Sequence, residues 1–226
     1  MITHVGLVKT SLVDVPGRLA ATLFTHGCPL SCPYCHNERL RSGPIPDDFV
    51  ELADALALLA RRVGVLEAVC VTGGEPLVHD DLPELIERVR AMGYYVKLDT
   101  SGAYPERLRA LLSRGLVDMV ALDVKTSPDR YRRVGLDGET FLEALAVVRR
   151  GGVPYELRTT AAPQLVDGDD IEHIAELLDP AERYVLAQYR APDSPGEHPR
   201  PYSEAVIRHW LERIHEKNAA ATVRGV

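Results

Sequence analysis

The chain alternates between two hydrophobic periodicities along most of its length, and this alternation constrains the fold more than any other feature. Short apolar runs predict buried β-strands, and most are followed by a segment with helical spacing. In "DLPELIERVRAMG", for example, Leu82, Leu85, Ile86 and Val89 recur at the interval of one helix face, and Gly93 ends the helix. Six strands are predicted in this way, in "LAATLFTHG", "LEAVCVTGG", "YYVKLDTSG", "VDMVALDVK", "VPYELRTTAAP" and "RYVLAQYRA".

Repeated strand–helix units predict a parallel sheet with helices outside it. Because six strands are fewer than the eight of a closed barrel, we expect an α/β fold, an open partial (β/α)6 barrel, in one domain spanning residues 1–226. Residues 1–19 are expected to add a short N-terminal hairpin, and residues 20–190 to form the partial barrel. Residues 191–226 are expected to hold a proline-rich loop, a last helix and a frayed tail, "AAATVRGV".

Charge and hydropathy exclude several classes of protein. The net charge of -7, from 26 basic and 33 acidic residues, argues against a general nucleic-acid binder, which needs a basic surface. No apolar run has membrane-spanning length, and the first residues lack the features of a signal peptide. We therefore expect a cytoplasmic protein, where thiols are mostly reduced and clustered cysteines indicate metal binding or catalysis.

Three of the four cysteines lie on one short loop, "GCPLSCPYCHN": Cys28, Cys32 and Cys35. The fourth, Cys70, lies within a predicted strand, where a small buried side chain is expected. Iron–sulfur clusters and structural zinc sites usually take four protein ligands, so three thiolates would leave one iron of a four-iron cluster open for chemistry. The spacing alone leaves two alternatives, a zinc site completed by His26 or His36, or simple reactive thiols.

The carboxyl ends of the six predicted strands carry polar or glycine residues. In order, they read as the cysteine loop, "TGGEP", "DTSG", "DVK", "RTT" and "QYR". In parallel α/β folds the ligand site lies at these ends. The pattern therefore predicts one site assembled from the whole rim of the sheet.

These motifs carry a resemblance to a known family. "CPLSCPYC" followed by "TGGEP" resembles the radical S-adenosylmethionine (SAM) superfamily. "GCPLSCPYCHN", "VTGGEPL", "VKLDTSG" and "VALDVK" resemble the glycyl-radical enzyme activases, and among them the activating proteins of anaerobic ribonucleoside-triphosphate reductase. The likeness extends from "HVGLVKTSLVDVPG" to the sixth strand.

The resemblance implies a cofactor set and an activity. One [4Fe–4S] cluster would be held by the three clustered cysteines, and SAM would be cleaved reductively to a 5′-deoxyadenosyl radical that generates a glycyl radical on a partner enzyme. Anaerobic ribonucleotide reductase is the expected partner. Cys70 is the only cysteine outside the loop, and one cysteine is too few to hold a further cluster. The electron is therefore expected to come from a separate protein, a flavodoxin or ferredoxin. A monovalent cation is expected near Asp99, Thr100 and Asp123.

The resemblance also implies a set of SAM-binding residues: Tyr34, His36, Asn37, Gly73, Gly74, Glu75, Asp99, Thr100, Ser101, Asp123, Lys125, Arg158 and Gln188. The backbone of the paired glycines, together with Glu75, suits a ligand ammonium group, because a glycine backbone can approach a ligand closely. Lys125 suits the ligand carboxylate, and Tyr34 corresponds to the aromatic position near the adenine.

Structural explanations exist for the same residues. "TGGEP" is also typical of a tight turn, the two aspartates could cap strand ends, and Arg158 could make a structural ion pair. Two other functions also remain open, a radical enzyme that acts on a small molecule, resembling the deazaguanine-forming enzymes, and a non-catalytic metal-binding or electron-transfer module. The segment "RAPDSPGEHPRPY" is a candidate docking loop, or an ordinary connector.

Overall fold

The computed structural model describes residues 1–191 and 198–226, which hold nine strands and six α-helices. The strands are β1 (His4–Ser11), β2 (Ala20–Thr25), β3 (Val50–Glu51), β4 (Ala68–Gly73), β5 (Tyr95–Thr100), β6 (Met119–Asp123), β7 (Tyr155–Ala161), β8 (Tyr184–Gln188) and β9 (Thr222–Arg224). The helices are α1 (Leu52–Arg61), α2 (Leu82–Ala91), α3 (Pro105–Ser113), α4 (Gly138–Arg150), α5 (Gly168–Leu177) and α6 (Glu204–His215). Short 3-10 helices cover Glu38–Leu40, Pro76–Val78 and Pro128–Val134.

The strands form one sheet in the order β3-β1-β2-β4-β5-β6-β7-β8-β9. The six predicted strands are β2 and β4 to β8, and each is parallel to its neighbour in that series. Helices connect most of them, so the expected open partial (β/α)6 barrel is confirmed. The predicted face of α2 is confirmed as well, because its buried residues include Leu82, Leu85, Ile86 and Val89.

Both edges of the sheet differ in detail from the sequence-based expectation. At one edge β1 pairs antiparallel with β2, so the N-terminal hairpin uses the first barrel strand rather than lying wholly within residues 1–19. The two-residue β3 then pairs with β1. The hairpin therefore extends the parallel sheet by two antiparallel strands.

The prediction of a frayed C-terminal tail was wrong. Thr222–Arg224 forms β9, which lies parallel to β8. The fully buried side chain of Asn218 anchors the preceding turn by donating to the carbonyl oxygens of Asp179 and Glu182, at 2.7 and 2.9 Å. Three residues carry too little periodicity to be read as a strand, and only the free edge of β8 makes them one.

Side chains two residues apart on a strand share one face of the sheet. The register places Cys70 between Thr22 and Lys97, on the face that points into the partial barrel. Above them, in the direction of the strand ends, Asp123 lies opposite Arg158. The interior of the barrel is therefore polar and charged, whereas the opposite face of the sheet packs against the helices. Within the residues described, no helix is long and apolar enough to cross a membrane.

Candidate active site

A cavity of about 360 Å³ opens at the carboxyl ends of the parallel strands. Its volume lies within the range of small-molecule sites, roughly 300–1,000 Å³. The cysteine loop forms one wall, and the ends of β4 to β8 form the floor and the other walls. Every predicted cluster ligand, and every predicted SAM-binding residue except Glu75, lines this cavity. The strand-end pattern therefore locates the site.

The three clustered cysteines are free, half-buried thiols that line the same cavity. Burial raises the pKa of Cys28 to about 11 and raises the pKa of Cys32 as well. Among residues 1–191 and 198–226, no three His, Cys, Asp or Glu side chains converge on one metal ion. The three thiols nevertheless line one cavity, which brings together the residues expected to hold the cluster.

Cys70 lies apart from this loop. Its side chain is buried among Val15, Ala20 and Ala68 in the lower part of the barrel, and burial raises its pKa well above the ordinary value. It does not line the cavity. The expectation that Cys70 occupies a buried, strand-interior position is therefore confirmed.

The two glycines of "TGGEP" bring the end of β4 against the cysteine loop. The amide of Gly74 donates to the carbonyl of Thr25 at 3.0 Å, and the amide of Glu75 donates to the carbonyl of Gly27 at 2.8 Å. A Cβ atom on Gly74 would lie 2.3 Å from the Gly27 oxygen, closer than any side chain could tolerate. Gly73 adopts a φ of +127°, in the region that favours glycine. The glycines line the cavity, but contact between the two loops already requires them.

Glu75 occupies a different place from the one expected. It is fully buried, and its Oε1 accepts hydrogen bonds from the Leu77 amide at 3.1 Å and the Thr100 hydroxyl at 2.8 Å. Its Oε2 accepts from the Ser101 amide at 2.7 Å and from the Ser101 hydroxyl. Burial raises the pKa of this carboxyl, and the four hydrogen bonds oppose the rise. Glu75 therefore ties the ends of β4 and β5 together and does not face the cavity.

An alternating network of charges forms the floor of the cavity. Arg158 donates to Asp99 Oδ2 at 2.9 Å and, through Nε, to Asp123 Oδ1 at 2.9 Å. Lys97 donates to Asp99 Oδ1 at 2.6 Å, and Lys125 donates to Asp123 Oδ2 at 2.8 Å. Burial opposes ionisation of Asp123, but the charges of Arg158 and Lys125 outweigh it and hold the pKa of Asp123 well below its usual range. Asp123 is thus kept ionised beside fixed cations.

On the opposite wall, Tyr34 is buried, and its ring centroid lies 5.9 Å from the Lys125 ammonium. His36 Nε2 lies 2.5 Å from the carbonyl oxygen of Arg190, and the Asn37 amide donates to the carbonyl of Gly73 at 3.4 Å. These contacts fasten the cysteine loop to the ends of β8 and β4.

Gln188 also lies at the end of β8. Its side-chain amide donates to the Tyr202 carbonyl at 2.7 Å, and its oxygen accepts from the Tyr189 amide. It lines the cavity with its polar atoms already engaged within the protein.

Comparison with known proteins identifies the architecture. The family profile described as the Radical SAM superfamily matches residues 22–181, which include the cysteine loop and the ends of β4 to β7. The chain belongs to the radical SAM superfamily.

Two relatives show where the chain falls within the radical SAM superfamily. A protein of Methanocaldococcus jannaschii, provisionally named a glycyl-radical enzyme activating enzyme, is 31% identical over 205 residues, which are 85% of this chain and 82% of the relative. A protein of Ruegeria pomeroyi named PqqA peptide cyclase is 34% identical over 178 residues, 76% of this chain but 46% of that longer protein. The first of these bears out the resemblance to the activases.

Solved radical SAM structures share the fold. Streptococcus suis SuiB bound to S-adenosylmethionine has a TM-score of 0.68 at 15% identity, over 89% of this chain and 49% of that one. QueE from Escherichia coli has a TM-score of 0.62 at 18% identity, over 100% of this chain and 95% of that one. At these identities the similarity concerns the fold alone.

Radical SAM membership implies a [4Fe–4S] cluster and SAM, and the cavity suits both. Three thiols line it, and acidic and basic side chains adjoin them in the same cavity. The three clustered cysteines would hold the cluster, and the charged floor would face the amino-acid part of SAM. When bound together, the two cofactors supply one-electron reductive cleavage.

Arg41 lines the cavity but lies outside every motif named in the sequence analysis. Four other residues that line the cavity lie within those motifs but were not named individually: Leu30, Thr72, Thr160 and Arg190. Thr160 follows Arg158 by two residues, so strand alternation could have placed it on the same face. Arg41 offers no such sequence signal, because it comes from the irregular segment after the 3-10 helix and reaches the cavity only through the fold.

Lys97 and Glu156 were missed as well. The side chain of Lys97 is 2% exposed and that of Glu156 is 1% exposed, with their charged atoms 3.7 Å apart. Lys97 precedes Asp99 by two residues, and Glu156 precedes Arg158 by two, so both point into the barrel beneath the cavity. Buried charges are expected to be paired, and these two extend the ionic network downward.

Proposed function

We propose that this radical SAM protein is a glycyl-radical enzyme activase. In this role it uses the 5′-deoxyadenosyl radical from SAM to remove a hydrogen atom from a glycine of a partner enzyme. The observation that carries the proposal is the 31% identity to a relative provisionally named as such an activating enzyme, spread over 82% of that relative.

The arrangement of the site supports the same function. The motifs "LDTSG" and "LDVK", on which the resemblance to activases rested, end adjacent strands and meet in one cavity through Asp99 and Asp123. Their carboxylates, with Lys125 and Arg158, offer fixed charges of both signs to a zwitterionic ligand, and Lys97 holds Asp99 from beneath the cavity. The protein would bind and orient SAM with these groups while the buried walls exclude water.

A polypeptide substrate is consistent with the open sheet, which leaves the cavity unenclosed by a second domain within the described residues. The relative named PqqA peptide cyclase bears the name of an enzyme that acts on a peptide, which supports a substrate of this kind. Among glycyl-radical enzymes, we propose the anaerobic ribonucleoside-triphosphate reductase as the partner, on the strength of the sequence motifs. The expected docking segment, "RAPDSPGEHPRPY", includes residues 192–197, which lie outside the described residues.

The electron would come from a flavodoxin or ferredoxin, because the only cysteine outside the cluster loop is Cys70, which is buried away from the cavity. We propose a cytoplasmic location, since free half-buried thiols persist in a reducing compartment.

Electron paramagnetic resonance tests the activase proposal directly. The protein is reconstituted anaerobically with iron and sulfide, then mixed with a reductant, SAM and the candidate reductase. We expect the doublet of a glycyl radical on the reductase, and no doublet when Cys32→Ala replaces the wild type. A second glycyl-radical protein of another class, tested in parallel, measures partner preference.

Other outcomes favour the alternatives. Cleavage of SAM without a glycyl signal on any candidate would contradict the activase role and favour a small-molecule substrate. If the reconstituted protein neither binds nor cleaves SAM, a non-catalytic metal-binding or electron-transfer module becomes the better description.

A further inference from the structure

The resemblance to activases implies a monovalent cation near Asp99, Thr100 and Asp123, and the structure does not fit one there. All four carboxylate oxygens of the two aspartates already accept from nitrogen atoms of the chain. Lys97 and Arg158 hold Asp99 at 2.6 and 2.9 Å. Arg158 holds Asp123 Oδ1 through Nε and Nη2 at 2.9 and 2.8 Å, and Lys125 holds Oδ2 at 2.8 Å.

The third expected ligand is engaged as well. The hydroxyl of Thr100 donates to Glu75 Oε1 at 2.8 Å and accepts from the Gly102 amide at 3.1 Å. A hydroxyl oxygen has two lone pairs, so Thr100 keeps one beside the Gly102 amide, but the neighbouring carboxylates are already compensated by fixed cations. A monovalent cation would lie next to the ammonium and guanidinium groups that hold these carboxylates, and repulsion between like charges disfavours it.

The network also leaves no carboxylate without a basic partner. Three carboxylates, Asp99, Asp123 and Glu156, face four basic side chains: Lys97, Lys125, Arg158 and Arg183, the last of which lies 3.2 Å from Glu156. The ammonium of Lys97 is 2% exposed, so its charge depends on these partners rather than on water. A further cation among these groups would meet no uncompensated carboxylate, and burying an unpaired charge is costly.

We infer that Lys97 and Arg158 take the place of the monovalent cation, so that this chain binds SAM without Na⁺ or K⁺. Arg158 bridges the two aspartates, and Lys97 holds the remaining oxygen of Asp99 from below. The inference rests on the proposed SAM site and is independent of the partner enzyme.

Titration of the reconstituted protein with SAM by calorimetry tests the inference. In one buffer the only monovalent cation is tetramethylammonium, and neither K⁺ nor Na⁺ is present. The other buffers contain K⁺ or Na⁺ at the same ionic strength. We expect dissociation constants that agree within about twofold, well under 1 kcal/mol. Affinity that falls about tenfold without K⁺ or Na⁺, and returns on adding either, would overturn the inference.

A variant tests the role of Lys97. Lys97→Met leaves Asp99 Oδ1 without its cation, whereas Glu156 keeps Arg183 at 3.2 Å. SAM affinity in tetramethylammonium should therefore fall about tenfold, and K⁺ should restore much of it. Lys9→Met, at an exposed position of β1, is the matched control and should behave as wild type. If the Lys97→Met variant binds SAM with the same affinity with and without K⁺, whether that affinity is weak or strong, Lys97 does not replace a cation.

Two controls separate the failures. If Lys97→Met does not fold by circular dichroism, Lys97→Gln takes its place, and the salt comparison of the wild type decides the inference without either variant. Absence of SAM binding in every buffer would overturn the SAM site and this inference together. Normal binding without a glycyl signal would overturn the activase proposal alone.

Discussion

Glu75→Gln separates the sequence interpretation of "TGGEP" from the structural one. The motif suggested that Glu75 binds the ammonium group of SAM, whereas the structure shows its carboxylate buried and saturated by four protein donors. Glutamine keeps the shape and removes the charge. If the structure is right, the main effect of the substitution should be a loss of stability, and the effect on SAM affinity should be the smaller one.

The size of the loss follows from the donors. Glutamine has one carbonyl oxygen and one NH₂ group, so whichever way it turns, a backbone N–H of Leu77 or Ser101 faces a donor instead of an acceptor. A buried donor left without a partner costs about 1–3 kcal/mol. Since 1 kcal/mol shifts the Tm of a domain this size by about 2–4 °C, a loss of about 2 kcal/mol lowers Tm by about 4–8 °C.

The effect should depend on pH in a defined direction. Burial raises the pKa of Glu75 above its ordinary value of 4.5. A carboxyl with a raised folded-state pKa contributes stability that is complete below the unfolded-state pKa and is lost as pH rises through the folded-state pKa. Glutamine does not titrate. The free energy of unfolding of the wild type should therefore rise relative to that of the variant as pH falls from about 7 to about 5.

The assay is urea unfolding of the cluster-free protein, followed by circular dichroism at both pH values. Glu84→Gln, at an exposed position of α2, is the matched control and should change stability by less than about 0.5 kcal/mol. SAM affinity is measured separately on the reconstituted proteins. If Glu75→Gln is as stable as the wild type but binds SAM about tenfold more weakly, the structural role of Glu75 is refuted. The sequence interpretation, in which Glu75 binds the ammonium group of SAM, would then stand.

Three further predictions concern the cavity. Gly74→Ala should destabilise the protein and lower its iron content, because the new Cβ meets a carbonyl oxygen at 2.3 Å. In the control variant Gly168→Ala the new Cβ meets nothing closer than 3.8 Å, so this protein should fold normally. Matching unfolding curves for the two variants would contradict the prediction. Cys32→Ala should abolish the cluster after anaerobic reconstitution while Cys70→Ala retains it, and equal iron loss in both would remove the assignment. Lys125→Ala should weaken SAM binding at least about tenfold by calorimetry, and an unchanged dissociation constant would exclude Lys125 from the site.

The sequence by itself predicted the order of the six barrel strands and of the helices between them, and it predicted one site at the rim of the sheet. Each barrel strand is a short apolar run and each helix carries a continuous apolar stripe, so local periodicity was enough to predict both. Because parallel strands bring their carboxyl ends to one edge, residues as distant as Cys28 and Gln188 could be assigned to one cavity from the strand order alone.

What a side chain contacts within that cavity depended on the tertiary structure. Glu75 follows the same strand end as Gly73 and Gly74, yet it turns toward the end of β5, where three of its four donors lie. The pairing of Lys97 with Glu156 joins strands far apart in the chain, so no local pattern could reveal it. β9 is a strand only because the edge of β8 was left open for it, a condition set by the whole sheet and not by its own three residues.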